Sequence, residues 1–267
     1  MQENRIVKID GFEVPVLISD EKEALLAAKA AGRALIGLWQ MGESMESLAG
    51  ARYVIQDVED ATEEYVERIA RRHLGLPWKI CETERLLIRE MMPADFALIC
   101  ENKIGPGLET FEELQTYVKH QYDFYEFGFW ALVEKATGKL VGAAGLLVPN
   151  PEHDSLHDGE PNELETVDGQ NGGIAMPNMT VLYAEDIGLD HSKSHDSPGF
   201  SEMLELGYHI FPDYRRRGYA KEACGSIMEY GREYLGVTRF VVRIDKENEA
   251  SLKLAGELGF KARNQHA

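Results

Sequence analysis

Apolar positions change period repeatedly along this chain, and each change marks an element. VPVLIS at 14–19 is an unbroken apolar, β-branched run, which predicts a buried strand. DEKEALLAAKAAG at 20–32 has Asp20 placed as N-cap, Ala and Leu inside and Gly32 as a stop, which predicts a helix. RALIGLW (33–39) and ARYVIQDV (51–58) read as further strands, and ATEEYVERIARRHLGL (61–76) as a helix. Strands alternating with helices predict parallel pairing with crossovers, hence a small parallel α/β layer over residues 1–78.

A second texture begins near residue 79. Residues 85–90 read as a strand, Pro93 opens a helix where its missing N–H costs nothing, and 110–127 reads as a longer helix. Phe111, Leu114, Tyr117, Val118 and Gln121 fall on one side of it. GFWALVEKATGKLVGAAGLLV (128–148) predicts a hairpin turning at KATGK. MLELGYHIF (203–211) predicts a strand, 218–235 a helix, RFVVRI (239–244) a strand, 249–258 a helix, and a closing strand follows near Phe260. Between them, residues 149–201 are rich in Pro, Gly, Asn, Asp and Glu, with a short strand within IAMPNMTVLYAEDIGL. A segment so long inside a compact domain is functional or mobile.

Composition narrows the class. The 267 residues are 44% hydrophobic and 28% charged, ordinary for a soluble globular protein. A formal charge of −18 argues against a nucleic-acid partner, whose phosphates need neutralising cations, and favours a cationic substrate. Cys81, Cys100 and Cys224 are widely spaced without a CxxC pair, which suits a reducing compartment. The N-terminus has no secretory pattern and no apolar run approaches a membrane span, so a cytoplasmic location without a membrane partner is expected. His153 and His157, then His191 and His195, form two HxxxH pairs among aspartates. Nearby Pro and Gly disfavour the helices that metal ligation would need, and no metal is expected.

The candidate chemistry lies in YHIFPDYRRRGYAKEA (208–223), where a strand turns into a helix. Arg215, Arg216, Arg217, Gly218, Tyr219 and Ala220 fit [Q/R]-x-x-G-x-[G/A]. Small residues at Gly218 and Ala220 let an anion approach the backbone, and the first-turn N–H groups of the helix point at it. A solvated arginine turn, with Gly and Ala serving only tight packing, is the competing reading.

Four segments in order carry a resemblance. TERLLIREMMPADF, GFWALVEKATGKLVGAAGL, LELGYHIFPDYRRRGYAKEA and VVRIDKENEASLKLAGELGF resemble the GNAT N-acetyltransferases, on the branch that includes ribosomal-protein N-terminal acetyltransferases. The resemblance implies an α+β fold over residues 79–267 with a mixed, splayed central sheet, interrupted by the acidic insertion 149–201. It implies transfer of the acetyl group of acetyl-CoA to a primary amine, a protein N-terminus or a small amine. The backbone of His209, Ile210 and Phe211 would pair with the pantetheine arm, residues Arg215 to Ala220 would hold the pyrophosphate, and Asn248 would lie near the cofactor. Asn248 also suits the N-cap of the following helix. Glu205 is the candidate base, because alternation puts Glu205, Gly207, His209 and Phe211 on one strand face, and His209 is the alternate. The tyrosine that many members use as acid is Ala255 here, and Ser251 stands where the ribosomal-protein branch has a serine that meets the sulfur. A catalytically silent acetyl-CoA sensor or protein-interaction module is the alternative.

Two departures shape further expectations. The chain ends soon after Phe260, where the family continues into a final strand, so that edge is left open, covered by the N-terminal layer, or completed by a second copy in a homodimer. The insertion is expected to cover the acceptor site, so that its removal would change acceptor preference and leave acetyl-CoA affinity nearly intact. Separately, LLAAKAAGRALIGLW and LAGARYVIQDVED, between Leu25 and Asp60, resemble the last βαβ units of haloacid dehalogenase-like phosphatases. That family's DxDxT nucleophile motif is absent, so no catalytic residue is carried over.

Overall fold

The computed structural model describes residues 1–40, 48, 50–105, 108–149, 179–185 and 203–262. The histidine pairs and most of the insertion lie outside these residues. The chain divides into two compact units, Met1–Ile80 with Arg89–Glu126, and Cys81–Ile88 with Phe127–Ala267.

The first unit is built on a four-stranded sheet in the order β1 (Gln2–Ile9), β2 (Phe12–Ser19), β3 (Ala34–Leu38), β4 (Tyr53–Ile55). β2, β3 and β4 run parallel, as the alternation of elements predicts, with α1 (Lys22–Ala30) as the first crossover. α2 (Glu63–His73) buries Val66, Ile69 and Ala70 against Val16, Ile18 and Ile36 of the sheet. Thr62 caps it, accepting from the Tyr65 amide at 3.2 Å. The cap expected at Asp20 is not made. The N-cap of α1 is Glu21, and the Asp20 carboxylate instead accepts from the N-terminal amine of Met1 and from Gln40 at 2.7 Å.

Unexpected is β1, which pairs antiparallel with β2 along its whole length. Its signal is Asp10-Gly11, both in the left-handed region at φ 49° and 86°, which is the chemistry of a two-residue hairpin turn.

The same unit includes α3 (Phe96–Glu101) and α4 (Phe111–Tyr125). The buried Glu90 carboxylate takes Arg72 Nη2 at 2.5 Å and the Trp78 amide at 3.0 Å. Asp123 accepts from the Tyr53 hydroxyl and from Arg52 at 2.7 Å. These charge-assisted bonds tie residues 89–126 to strands and helices of the first eighty residues. The grouping therefore differs from a simple break at 78/79. Phe111 is exposed, so the buried side of α4 runs through Leu114 and Tyr122 instead.

The second unit carries a seven-stranded sheet. It is formed by β5 (Lys79–Glu82), β6 (Leu86–Arg89), β7 (Phe129–Glu134), β8 (Lys139–Leu147), β9 (Met179–Glu185), β10 (Met203–Ile210) and β11 (Arg239–Asp245). The spatial order is β5-β6-β7-β8-β10-β11-β9. α5 (Tyr219–Leu235) joins β10 to its parallel neighbour β11 and packs on β8 and β10, while α6 (Glu249–Glu257) packs on β11.

β9 resolves the question of the missing last strand. It lies within the insertion, yet all seven of its residues pair antiparallel with β11, from Met179↔Asp245 to Glu185↔Arg239. The edge of β11 is therefore filled by the chain itself, and the ground for expecting a second copy there is removed. The closing strand expected near Phe260 reduces to one bridge, Lys261 with Tyr183 of β9. Among the described residues no helix is long and apolar enough to cross a membrane, and no group of three or more His, Cys, Asp or Glu is arranged for a metal ion.

Candidate functional site

β10 and β11 pair only through Met203↔Arg239, Leu204↔Phe240 and Glu205↔Val241. Beyond Glu205 each strand keeps its outer partner: β10 stays on β8 as far as Ile210↔Gly142, and β11 stays on β9. Two neighbours that hold their outer partners but drop each other must diverge, which opens a gap between them beyond Glu205.

The ladder also says which groups face the opening. The Phe211 amide donates to Val141 O at 2.9 Å, so Phe211 turns its N–H toward β8. Alternation along an unbroken antiparallel register gives His209 the same direction and turns the backbone of Tyr208 and Ile210 inward. The Ile210 carbonyl already accepts Arg215 Nε at 2.9 Å. Of the stretch singled out from sequence, the Ile210 amide and the unremarked Tyr208 backbone face the opening.

At the same end the chain passes through a 3-10 turn, Pro212–Tyr214, into α5. Arg216 at φ 61° and Gly218 at φ 85° alternate with right-handed or extended neighbours, a backbone form that makes successive N–H groups converge. The amides of Arg216, Arg217, Gly218, Tyr219 and Ala220 have no acceptor among the described residues, whereas the Arg215 amide is used by Pro212 O at 3.3 Å. A Cβ at Gly218 would force a side chain into the left-handed region 3.2 Å from Arg85 Nη2. This cradle suits a pyrophosphate, because converging donors and the α5 N-terminus both favour an anion.

Behind the cradle stands a buttress. Arg85 donates to Arg217 O at 2.8 Å, pairs with Glu222 at 2.6 Å, and lies 4.7 Å over the Tyr219 ring. Glu222 also accepts from the Thr83 hydroxyl and the Arg85 amide. Burial works against the Glu222 charge, but these donors outweigh it and hold the carboxyl below its usual range. The Tyr219 hydroxyl donates to Glu134. Among the three arginines Arg215 donates to Ile210 O at the end of β10, Arg217 donates to Asp213 O in the turn, and Arg216 is exposed.

One face of β10 is floored by Phe129. Its partner in register is Gly145, which in turn pairs with Gly207, and a Cβ at Gly207 would meet Phe129 Cζ at 2.7 Å. Glu205 and His209 flank Gly207 on that face. Glu205 is ion-paired to Arg243 of β11 at the point where the strands part. His209 Nε2 is buried without a hydrogen-bond partner among the described residues, and burial, then the Arg215 charge, hold its pKa below the usual imidazole range. His209 is thus neutral at pH 7 with a nitrogen to spare.

Asn248 caps α6, its Oδ1 accepting the Ser251 amide at 3.1 Å, so its helix-capping reading is realised in the geometry. Ser251 lies in the first turn of α6, near the hydroxyl of Tyr208.

Residues 181–261, which begin in β9 and include the gap and the cradle, match the family described as Acetyltransferase (GNAT) domain. This stretch carries the GNAT acetyltransferase pattern. An uncharacterized N-acetyltransferase of Bacillus subtilis, YoaA, is 37% identical over 112 residues, covering 37% of this chain and 63% of that protein. The mouse alpha/beta-tubulin-N-acetyltransferase 9 is 46% identical over 50 residues, covering 19% of this chain and 21% of that protein. The chain thus spans less than two thirds of the length of these relatives. A solved GNAT-family acetyltransferase from Bacillus anthracis aligns at a TM-score of 0.41 and 17% identity, covering 68% of this chain and 84% of that one.

Sequence reasoning missed Arg85, Glu222, Phe129 and Arg243. Arg85 and Glu222 had no signal, since their pairing links residues 137 apart. Gly145 and Gly207, glycines inside two strands, did mark a close approach, which Phe129 fills.

Proposed function

We propose that residues 79–267 act as an N-acetyltransferase that moves the acetyl group of acetyl-CoA to a primary amine. The observation that carries this reading is the parting of β10 from β11 immediately before a cradle of unused amides. Bound there, acetyl-CoA supplies an activated acyl group as a thioester. The inward backbone of Tyr208 and Ile210, flanked by His209 and Phe211, adds a strand-like partner to the pantetheine arm. Arg216 to Ala220 grip the pyrophosphate, and the residue cluster Arg85, Glu222 and Thr83 keeps that loop in shape. Asn248 and Ser251 set the start of α6 against the opening.

The amine must lose a proton to attack. Glu205, at the apex of the opening, takes it directly or through water while Arg243 steadies the carboxylate. His209 offers a second acceptor, favoured by its unpartnered nitrogen. The acceptor is a protein N-terminus, in keeping with the resemblance to the ribosomal-protein branch, or a small amine that the chain's negative charge attracts. Three free cysteines accord with a cytoplasmic setting.

The test is thiol release from acetyl-CoA by the purified protein against a panel of peptides with free N-termini, polyamines and amino-acid derivatives. At least one amine should give turnover, and Glu205→Gln should lower kcat on the order of a hundredfold. Thermal stabilisation by acetyl-CoA without turnover on any amine would instead support the silent sensor.

A further inference from the structure

Two buried polar atoms on the free stretch of β10 lack a partner among the described residues, Tyr208 Oη and His209 Nε2. As neighbours on a strand they point to opposite faces. A buried hydroxyl left unsatisfied is destabilising, a penalty that a bound ligand would relieve.

The surroundings of Tyr208 place its hydroxyl. In register with Ala144, it shares a face with Trp130, which meets Tyr230 of α5 edge-on at 5.6 Å. The polar groups that act on the phenol are Ser251 of α6 and Cys224 of α5. The ring grows from β10, whereas α6 packs on β11. The hydroxyl therefore reaches across the helix side of the opening from one wall toward the other. Ser251 acts on the phenol, yet among the described residues no hydrogen bond within 3.5 Å satisfies Tyr208 Oη, which leaves its proton to be given. Ala255, one turn beyond Ser251 on the same face of α6, has no proton to offer.

We propose that Tyr208 is a catalytic acid that protonates the departing sulfur, an inference that rests on the acetyltransferase reading above. The amine nitrogen forms the C–N bond, the C–S bond breaks with its electron pair on sulfur, and the phenolic proton converts the thiolate to a thiol. The amine's surplus proton leaves on the other face, toward Glu205 or His209, and the phenolate is reprotonated by water. Acid and base are thus separated by the two faces of one strand. Burial, only partly countered by Ser251 and reinforced by Cys224, raises the pKa of Tyr208 above its usual value, so the phenol is protonated at neutral pH.

The deciding variant is Tyr208→Phe, which keeps the ring and removes one unsatisfied hydroxyl. Its thermal stability without ligand should equal or exceed that of the wild type. By calorimetry, wild-type protein should bind CoA about tenfold more tightly than desulfo-CoA, and the variant should lose that preference while retaining acetyl-CoA affinity. Turnover should fall on the order of a hundredfold with KM for acetyl-CoA unchanged within twofold. A variant that keeps both the CoA preference and kcat overturns the role of Tyr208 alone. Wild-type protein that binds none of the three nucleotides overturns the acetyltransferase reading together with it.

Discussion

Deleting residues 149–201 should unfold the second unit instead of merely changing its substrate. The sequence presents that segment as an insertion, but it contains β9, which pairs with every residue of β11. An antiparallel ladder of seven residue pairs makes roughly seven backbone hydrogen bonds, each worth about 1 kcal/mol net. About 7 kcal/mol is comparable with the whole stability of a typical domain, about 5–15 kcal/mol. The loss would also leave β11, with Phe240, Val241, Val242 and Ile244 buried, as a bare apolar edge prone to aggregation. A companion deletion of residues 188–199 spares β9. Glu185 and Met203 are both in register with Arg239, so only two strand spacings, roughly 10 Å, separate the ends to be rejoined. Solubility and urea unfolding followed by tryptophan fluorescence compare the three proteins. The full deletion should be insoluble or show no cooperative transition, and the companion should match the wild type within about 1 kcal/mol. A full deletion with wild-type midpoint and acetyl-CoA affinity would refute the placement of β9 and restore the view of a dispensable cover.

Other consequences follow from the same geometry. Gly218→Ala forces a left-handed alanine at φ 85°, a strain of about 1–2 kcal/mol, so CoA affinity measured by calorimetry should fall roughly tenfold while circular dichroism is unchanged. A Cβ at Gly145 would lie 1.9 Å from the Gly128 carbonyl oxygen, a backbone atom that cannot yield, whereas at Gly207 it meets the edge of the Phe129 ring at 2.7 Å. Gly145→Ala should therefore destabilise by about 3 kcal/mol or more in urea titration, and Gly207→Ala by about 1–3 kcal/mol, with Phe129→Leu recovering part of the loss at Gly207 only. Because the pKa of His209 is lowered in the folded state, the unfolded chain binds that proton first as pH falls. The stability difference between wild type and His209→Gln should be constant above about pH 6.5 and shrink as pH drops below it, and a difference that grew on acidification would contradict a neutral His209.

The strand–turn–helix at 208–223 was readable because its chemistry is local. Gly218 before an alanine-rich helix marks a left-handed entry, and amides at a helix start have no intrahelical acceptor wherever the helix is placed. The same locality governs where α2 and α4 begin, since Thr62 and Thr110 each cap their own helix. The strand β1 carried an equally local sign in Asp10-Gly11 but was obscured by its polar, half-exposed residues. Nothing local could indicate that Glu205 would meet Arg243, or that Arg85 would brace the carbonyl of Arg217, since each pair is formed by strands or loops far apart in the chain.

By itself the sequence determined most of the elements and the local form of the cradle, because periodicity, caps and glycine conformations are properties of neighbouring residues. Tertiary structure alone decided that a strand from an apparent insertion completes the sheet, that β10 and β11 separate after Glu205, and that the buried hydroxyl of Tyr208 comes near Ser251 of α6. Pairing between distant strands depends on which edges remain unfilled after the whole chain has packed, and no short stretch of residues contains that information.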